Sequence, residues 1–322
     1  MTPSPLPDEP RPVLPDLTVH VRAPDLTRWL AGNCGVAGFT TLDSGKAGPH
    51  VVMVSLIHGN EFAGAIALAE LLAAGFAPQC GRLTVGFANL AAFARFSPET
   101  PLNSRYLEED LNRVWDDFTL FGMRRSVELD RAREMRPLID SADILLDLHT
   151  MLWPSDPLLL CGAGERGLAL GRQVATPGVL IADCGHAGGK RLIDYGRFTE
   201  GAGQSATALL VEAGQHWQPD SVSQARATIH ATLQAAGMAA RTTTPPPPLC
   251  GRVVQTVTAH TSRFAFVRAF RGGEIIARAG TIIAHDGDAP VVTNEDDLML
   301  VLPSLLVAHG HTAVRLARLT HG

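Results

Sequence analysis

Residues 51–64 read VVMVSLIHGNEFAG, a run of mostly β-branched apolar residues that stops at a histidine, a Gly-Asn pair and a glutamate. The hydrophobicity is nearly continuous rather than alternating, as in strands covered on both faces of a sheet. Helices are the usual cover for such a sheet, so this stretch predicts an α/β fold. Its polar end raises a separate question. His58 and Glu61 are costly to bury unless they are paired or bound to something.

Working outward, RLTVGFANL, ILLDLH, PLLLC, GVLIAD and ALLVEAG repeat the same apolar pattern between about residues 50 and 240. Helical patterns separate them: EFAGAIALAELLAAG, the charged stretch from Met123 to Ile139, and the segment after Asp220. In that last segment Val222, Ala225, Ile229 and Leu233 recur at helical spacing behind Asp220 or Ser221 as cap. The fold class expected is α/β, with a mostly parallel or mixed sheet flanked by helices. TTTPPPPL, residues 242–249, can form neither helix nor central strand and reads as a linker. Beyond it RVVQTVT, RFAFVRAF, GEIIARAGTIIAH and DDLMLVLP are short strand-like pieces broken by turn signals, among them HDGD at 285–288. The organisation expected is therefore a loose proline-rich leader (1–27), a catalytic domain (28–241), the linker (242–249) and a small all-β domain (250–322).

Composition narrows the function classes. The chain has 322 residues, 46% hydrophobic and 18% charged, enough for a large core. Its net charge is -5 and it has no basic block of the kind that tracks nucleic acid or anionic lipid, so neither partner is expected. The amino terminus lacks a signal-peptide pattern and no run is long enough for a membrane span, which predicts a cytoplasmic protein. Association of identical chains stays open. The five cysteines (Cys34, Cys80, Cys161, Cys184 and Cys250) are scattered without a CxxC pair, which argues against a disulfide framework and against a thiolate metal site.

The site candidates begin with the opening stretch. His58 ends a strand, and Glu61 follows three residues on, across a Gly-Asn turn at the first turn of a helix. ILLDLH ends in His149 at the carboxyl end of another expected strand, the edge at which open α/β sheets bind ligands. Two histidines and a carboxylate are a hydrolytic zinc ligand set with the fourth position left for water or substrate. Either histidine alone would more often be a satisfied core residue; together with Glu61 they predict one metal ion per chain. Asp147 shares a strand face with His149, either as an orienting hydrogen-bond acceptor or as the partner of some other buried donor. Glu212 ends the apolar run ALLVEAG, where it can serve as the proton carrier that such a site needs. His216, four residues on, could support the ligands from behind but reads better as a loop histidine. In NSRYLEEDLNRVW, residues 103–115, Arg105, Asn112 and Arg113 could bind a carboxylate or an oxyanion, while Glu108, Glu109 and Asp110 allow the plainer reading of a solvated charged loop.

HGNE at 58–61, RYLEEDLNR at 105–113, DLH at 147–149 and VEAG at 211–214 resemble, in this order, the succinylglutamate desuccinylase and aspartoacylase family, related to zinc carboxypeptidases. The resemblance spans about residues 50–217. It implies a zinc carboxypeptidase-like fold, zinc held by His58, Glu61 and His149, and Glu212 as general base and then acid. It implies Arg105 as the group that polarises the scissile carbonyl, and Asn112 with Arg113 as the pair that holds a substrate carboxylate. The implied reaction is hydrolysis of a small N-acyl amino acid. One departure stands out: aspartoacylases use a further arginine ahead of the glutamate motif, but TEGAGQSATALLVEAG, residues 199–214, contains none. Arg191 and Arg197 are the upstream substitutes. The acyl group and the amino acid are left open.

Three readings compete. A zinc carboxypeptidase or ester hydrolase would use the same residues, and a non-catalytic zinc-binding protein would use the ligands alone. The third is a dinucleotide-binding oxidoreductase, because Gly162, Gly164 and Gly167 match GxGxxG after an apolar run and Asp183 falls about 20 residues later. It leaves His58, Glu61, His149 and Glu212 unexplained. His309 and His311 read as a solvated turn rather than a metal pair.

Overall fold

The computed structural model describes residues 15–186, 188–199, 205–241 and 243–320. Most of the expected leader, one linker residue and part of the arginine-free stretch ahead of Glu212 lie outside them. Within residues 15–26 there is no regular structure, yet Leu26 is buried and Val19 and Val21 pack against the core.

The apolar runs become β2 (His50–Ser55), β3 (Arg82–Phe87), β4 (Ile144–Met151), β5 (Leu158–Cys161), β6 (Val179–Ala182) and β7 (Thr207–Gln215). A strand that was not anticipated, β1 (Phe39–Asp43), lies on one edge. The helices are α1 (Ala63–Ala73), α2 (Leu90–Phe93), α3 (Asp117–Phe121), α4 (Val127–Asp140), α5 (Glu165–Val174) and α6 (Pro219–Ala235). The Ser126 side chain accepts from Leu129 N at the start of α4. α6 begins earlier than expected, with Gln218 as its cap rather than Asp220 or Ser221, because Pro219 is pre-set for the first helical position.

The carboxyl-terminal strands are β8 (Leu249–Thr258), β9 (Phe264–Phe266), β10 (Ile275–Ile276), β11 (Ile282–Asp286), β12 (Ala289–Val292), β13 (Leu298–Val301) and β14 (Thr312–Thr320). The main sheet has eleven strands in the order β1-β3-β2-β4-β7-β5-β6-β8-β14-β13-β10, and β12-β11-β9 forms a separate three-stranded antiparallel sheet. β3, β2, β4 and β7 run parallel, while β5 is antiparallel to β7, so the sheet is mixed. The sheet continues past the proline-rich segment through parallel pairing of β8 with β6. HDGD is the hairpin expected of it, with Asp286 paired to Ala289 and Gly287 at φ +64°.

Alternation along β2 assigns the two layers. Val51 and Met53 pack with Leu68, Leu168, Ile229 and Leu233 beneath α1, α5 and α6. Val52 and Val54 pack with Leu129, Met135 and Ile139 of α4 on the other face. In β13, Leu298 and Leu300 join a third core with Val314 and Leu316, whereas Met299 and Val301 join the α4 side. The carboxyl-terminal strands thus share a core with the rest of the sheet. No described helix is long and apolar enough to cross a membrane, and all five cysteines are free.

Candidate metal centre and its pocket

β2, β4 and β7 are adjacent and parallel, so their carboxyl ends deliver side chains to one edge. His58 follows β2, His149 lies near the end of β4, and Glu212 is paired with His149 across to β7. The Gly-Asn step carries Glu61 back toward His58, with Glu61 N bonded to His58 O at 3.1 Å. Gly59 passes against another backbone: a Cβ there would lie 2.4 Å from Phe93 N and 2.5 Å from Ser104 O. Asn60 O accepts from Trp217 Nε1 at 2.9 Å and fixes the turn.

The candidate ligand atoms of His58, Glu61 and His149 lie within 4.8 Å of one another, and all three residues are buried. His58 Nδ1 is 2.8 Å from Glu61 Oε1, and His149 Nδ1 is 3.0 Å from Glu61 Oε2. The first contact lacks hydrogen-bonding geometry and leaves His58 Nδ1 a buried nitrogen without a hydrogen-bond partner among the described residues. On the far side of each ring is another carboxylate. His58 Nε2 is 2.8 Å from Asp110 Oδ1, and His149 Nε2 is 2.9 Å from Asp147 Oδ2. Carboxylates behind both imidazoles, with the Nδ1 atoms converging on a third, are the donor set and backing of a histidine-carboxylate metal site, so these residues fit a zinc ion.

The electrostatics agree with a place for a cation. Burial alone would raise Glu61, but His58 and the hydrogen bond from His149 outweigh it and hold the carboxyl well below its usual value. Burial opposes charge on His149, yet Asp147 and then Glu61 prevail and hold it well above the ordinary histidine value. Glu212 behaves in the opposite sense to Glu61: burial is the largest influence and pushes its carboxyl up to about 8. Its Oε2 has no hydrogen-bond partner among the described residues.

The remaining candidates sort by position. Arg105 donates to Glu61 Oε1 at 2.7 Å and approaches His58 Nε2 at 3.0 Å. Asn112 is buried, its Oδ1 accepting from Leu192 N at 2.8 Å and its Nδ2 lying 3.4 Å from His149 Nε2. Arg113 lies 3.2 Å from His186 Nε2 and donates to Asn112 O. The loop carrying these residues is organised by the buried Glu128 of α4, whose carboxylate accepts from Leu107 N, Glu108 N, Glu109 N and Asn89 Nδ2. Of the two substitute arginines, Arg191 reaches the pocket but is consumed: Asp183 takes its Nη1 at 2.8 Å and Asp194 takes Nε and Nη2 at 2.6 and 3.0 Å. Arg197 donates to Ala142 O just before β4 begins, at the end of that strand remote from His149. The structure does not bring it to the site.

Four residues escaped the sequence reading. Asp110 hid among the acidic residues of its loop. His216, expected in a loop, is buried in the pocket wall, 2.7 Å from Thr150 Oγ1, and burial lowers it to about 4. His186 and Arg315 also line the pocket, a cavity of about 170 Å³. The only sequence signal for Arg315 was an arginine inside the apolar run of TAVRLARLT. The GxGxxG segment does form a β5-α5-β6 unit, but Asp183 is buried and bonded to Arg191 rather than free for a ribose. His309 and His311 are exposed in a turn.

The sequence model of the succinylglutamate desuccinylase/aspartoacylase catalytic domain matches residues 47–236. Among solved structures, succinylglutamate desuccinylase from Vibrio cholerae is similar with a TM-score of 0.69 at 21% identity, covering 88% of this chain and 85% of that one. The enzyme of the same name from Vibrio parahaemolyticus gives 0.66 at 20% identity over 89% of each chain. A product-bound ectoine utilization protein from Ruegeria pomeroyi gives 0.62 at 17% identity, covering 87% of this chain and 88% of that one. At these identities the likeness is one of fold. The family match takes in His58, Glu61, Arg105, Asn112, Arg113, His149 and Glu212, and on that match this chain belongs to the succinylglutamate desuccinylase/aspartoacylase family.

Proposed function

We propose that the chain is a zinc-dependent hydrolase that cleaves the amide bond of a small N-acyl amino acid, releasing a carboxylic acid and an amine. The observation that carries this reading is the convergence of His58, Glu61 and His149, each imidazole backed by a further carboxylate, one strand away from a Glu212 whose carboxyl sits near 8. Zinc, when bound, supplies Lewis acidity: it polarises a carbonyl and brings the deprotonation of water from a pKa of ~15.7 to ~7.

The protein's own groups do the rest. Glu212, raised by burial, accepts a proton from water and returns it to the leaving nitrogen, which requires a pKa near the working pH. Arg105 places a guanidinium beside the cluster, where it stabilises the oxygen that gains charge as the carbonyl is attacked. Asn112 and Arg113 hold a carboxylate of the substrate. Asp110, hydrogen-bonded to His58 Nε2, fixes the orientation and tautomer of that ring, and Asp147, 2.9 Å from His149 Nε2, supplies the charge that balances the other. The reading places the enzyme in the cytoplasm.

The test is a panel of N-acetyl and N-succinyl amino acids assayed for amine release with and without a chelator. Activity on at least one member, lost with the chelator and restored by zinc, is expected. Chelator-insensitive hydrolysis would end the zinc reading. Inactivity on the whole panel, with hydrolysis of peptides or esters instead, would end the deacylase reading.

A further inference from the structure

Arg315 is a buried arginine that the family resemblance does not account for. It belongs to β14, where its neighbours Val314 and Leu316 face the third core while Ala317 turns to the α4 side. Its side chain follows Ala317 and arrives in the pocket that Glu212 and His149 also line. There Arg315 Nη2 lies 2.9 and 2.7 Å from the two ring nitrogens of His186, and Arg113 Nη2 lies 3.2 Å from His186 Nε2. Two guanidiniums from distant parts of the sequence therefore meet at one imidazole.

The donors outnumber the acceptors. A neutral imidazole has a single acceptor nitrogen, and Arg has none. Burial, and then Arg315 and Arg113, hold His186 far below the ordinary histidine value, so the ring is neutral. The carboxylates nearby give little more. Asp183 Oδ2 lies 3.2 Å from Arg315 Nε but already accepts from Arg191 Nη1 at 2.8 Å, and Arg315 Nε has no hydrogen-bond partner among the described residues. Asp194 is taken by Arg191. Arg113 meets Asp110 only at 4.0 Å. A buried guanidinium with an unused donor, meeting a partly buried one beside a cavity, is an incomplete anion site.

We propose that Arg315 and Arg113, meeting at His186, form an anion subsite that binds a carboxylate of the substrate remote from the scissile amide, so that Arg315 determines which N-acyl amino acids are accepted. This rests on the deacylase reading above and deepens it. Arg315 then does the work for which Arg191 and Arg197 were the sequence candidates: Arg191 is sequestered by two aspartates and Arg197 lies elsewhere. The neighbouring Trp153, Leu302 and Pro303 give the subsite an apolar wall for the methylenes that separate such a carboxylate from the amide.

The test is binding rather than turnover. Succinate is titrated calorimetrically into the full chain as purified, and into Arg315→Gln and Arg315→Lys. Wild type is expected to bind succinate, and Arg315→Gln to bind it at least about 10-fold more weakly, the loss of a charge-assisted hydrogen bond. Butyrate, which lacks the second carboxylate, should be bound equally by the two. If Arg315→Gln does not fold, Arg315→Lys decides: it keeps the charge beside Asp183 but loses the fork, and about 5-fold weaker succinate binding is expected. Unchanged succinate binding in the variant that folds, or no binding by wild type, would overturn the proposal. Arg315-dependent binding in a protein that hydrolyses no N-acyl amino acid would leave the subsite standing and end the deacylase reading alone.

Discussion

In the proposed reaction Glu212 carries the proton, and Glu212→Gln removes that capacity at constant size. Hydrolysis is expected to fall by ~10²-fold or more, while zinc content measured by atomic absorption stays at the wild-type level, since the ligand atoms come from His58, Glu61 and His149. Wild-type turnover in the variant would take Glu212 out of the mechanism. The same residues show what a sequence can reveal at this scale. His58, His149 and Glu212 each end an apolar run, and a titratable group at the end of a buried strand is conspicuous without any structure. Asp110 is not, because it sits between Glu109 and Leu111 in a loop that reads as solvated, and only the 2.8 Å contact with His58 Nε2 separates it from its neighbours. Arg315 is harder still. Its surroundings are visible in TAVRLARLT, but its partners Asp183 and His186 follow β6, one strand removed from β14 in the sheet yet, for His186, 129 residues from Arg315 along the chain. Pairings across such sequence distances are set by topology.

The turn between β2 and α1 shows how an element constrains a site. Gly59 suits it for reasons of space rather than of backbone dihedral. Gly59→Ala would place a Cβ 2.4 Å from Phe93 N, 2.5 Å from Ser104 O and 2.6 Å from Ala92 C, all of them backbone atoms that cannot rotate away. The expected cost is about 1–3 kcal/mol, as for other overpacked sites, seen as a lower urea midpoint at unchanged slope. A wild-type midpoint would show that the turn can move aside. At this scale the strand runs and the helix faces were legible because hydrophobic periodicity reports burial directly. β1 was missed because FTTLD is short and half-exposed on a sheet edge, with only Phe39 fully buried. The start of α6 was misjudged because Asp and Ser are strong caps, and the local preference of Pro219 for the first turn overrode them.

For the molecule as a whole, burial of neutral histidines couples stability to pH. Burial is the largest influence lowering His50, His186 and His216, the last to about 4 from an ordinary 6.5. Below about 6.5 the unfolded chain takes up protons that the folded chain refuses, so folding stability falls as pH drops from 6.5 toward 4. Glu212, raised to about 8 from 4.5, acts in the opposite sense by holding a proton that the unfolded chain binds only near 4.5, one group against three. His149 is shifted upward and is already protonated in the metal-free protein across that window, so it adds little slope there. The metal-free protein is therefore expected to melt at progressively lower temperature between pH 6.5 and 4, more steeply than His50→Gln; a flat profile would contradict it. The α/β class was legible in the order of the runs, but the sheet's continuity was not. The reversal at β5 and the union of β8 with β6 depend on which edges meet in space, and the proline-rich segment between them reads locally as a break. That union has a consequence for the order of assembly. β14 comes after every other element of the chain yet lies between β8 and β13 in the sheet. Until residues 312–320 are in place, β8 and β13 share no ladder and the pocket lacks the wall that bears Arg315. A chain truncated before residue 312 would keep His58, Glu61, His149 and Glu212 but lose the proposed Arg315 subsite, so the ligand cluster and that subsite depend on different parts of the chain.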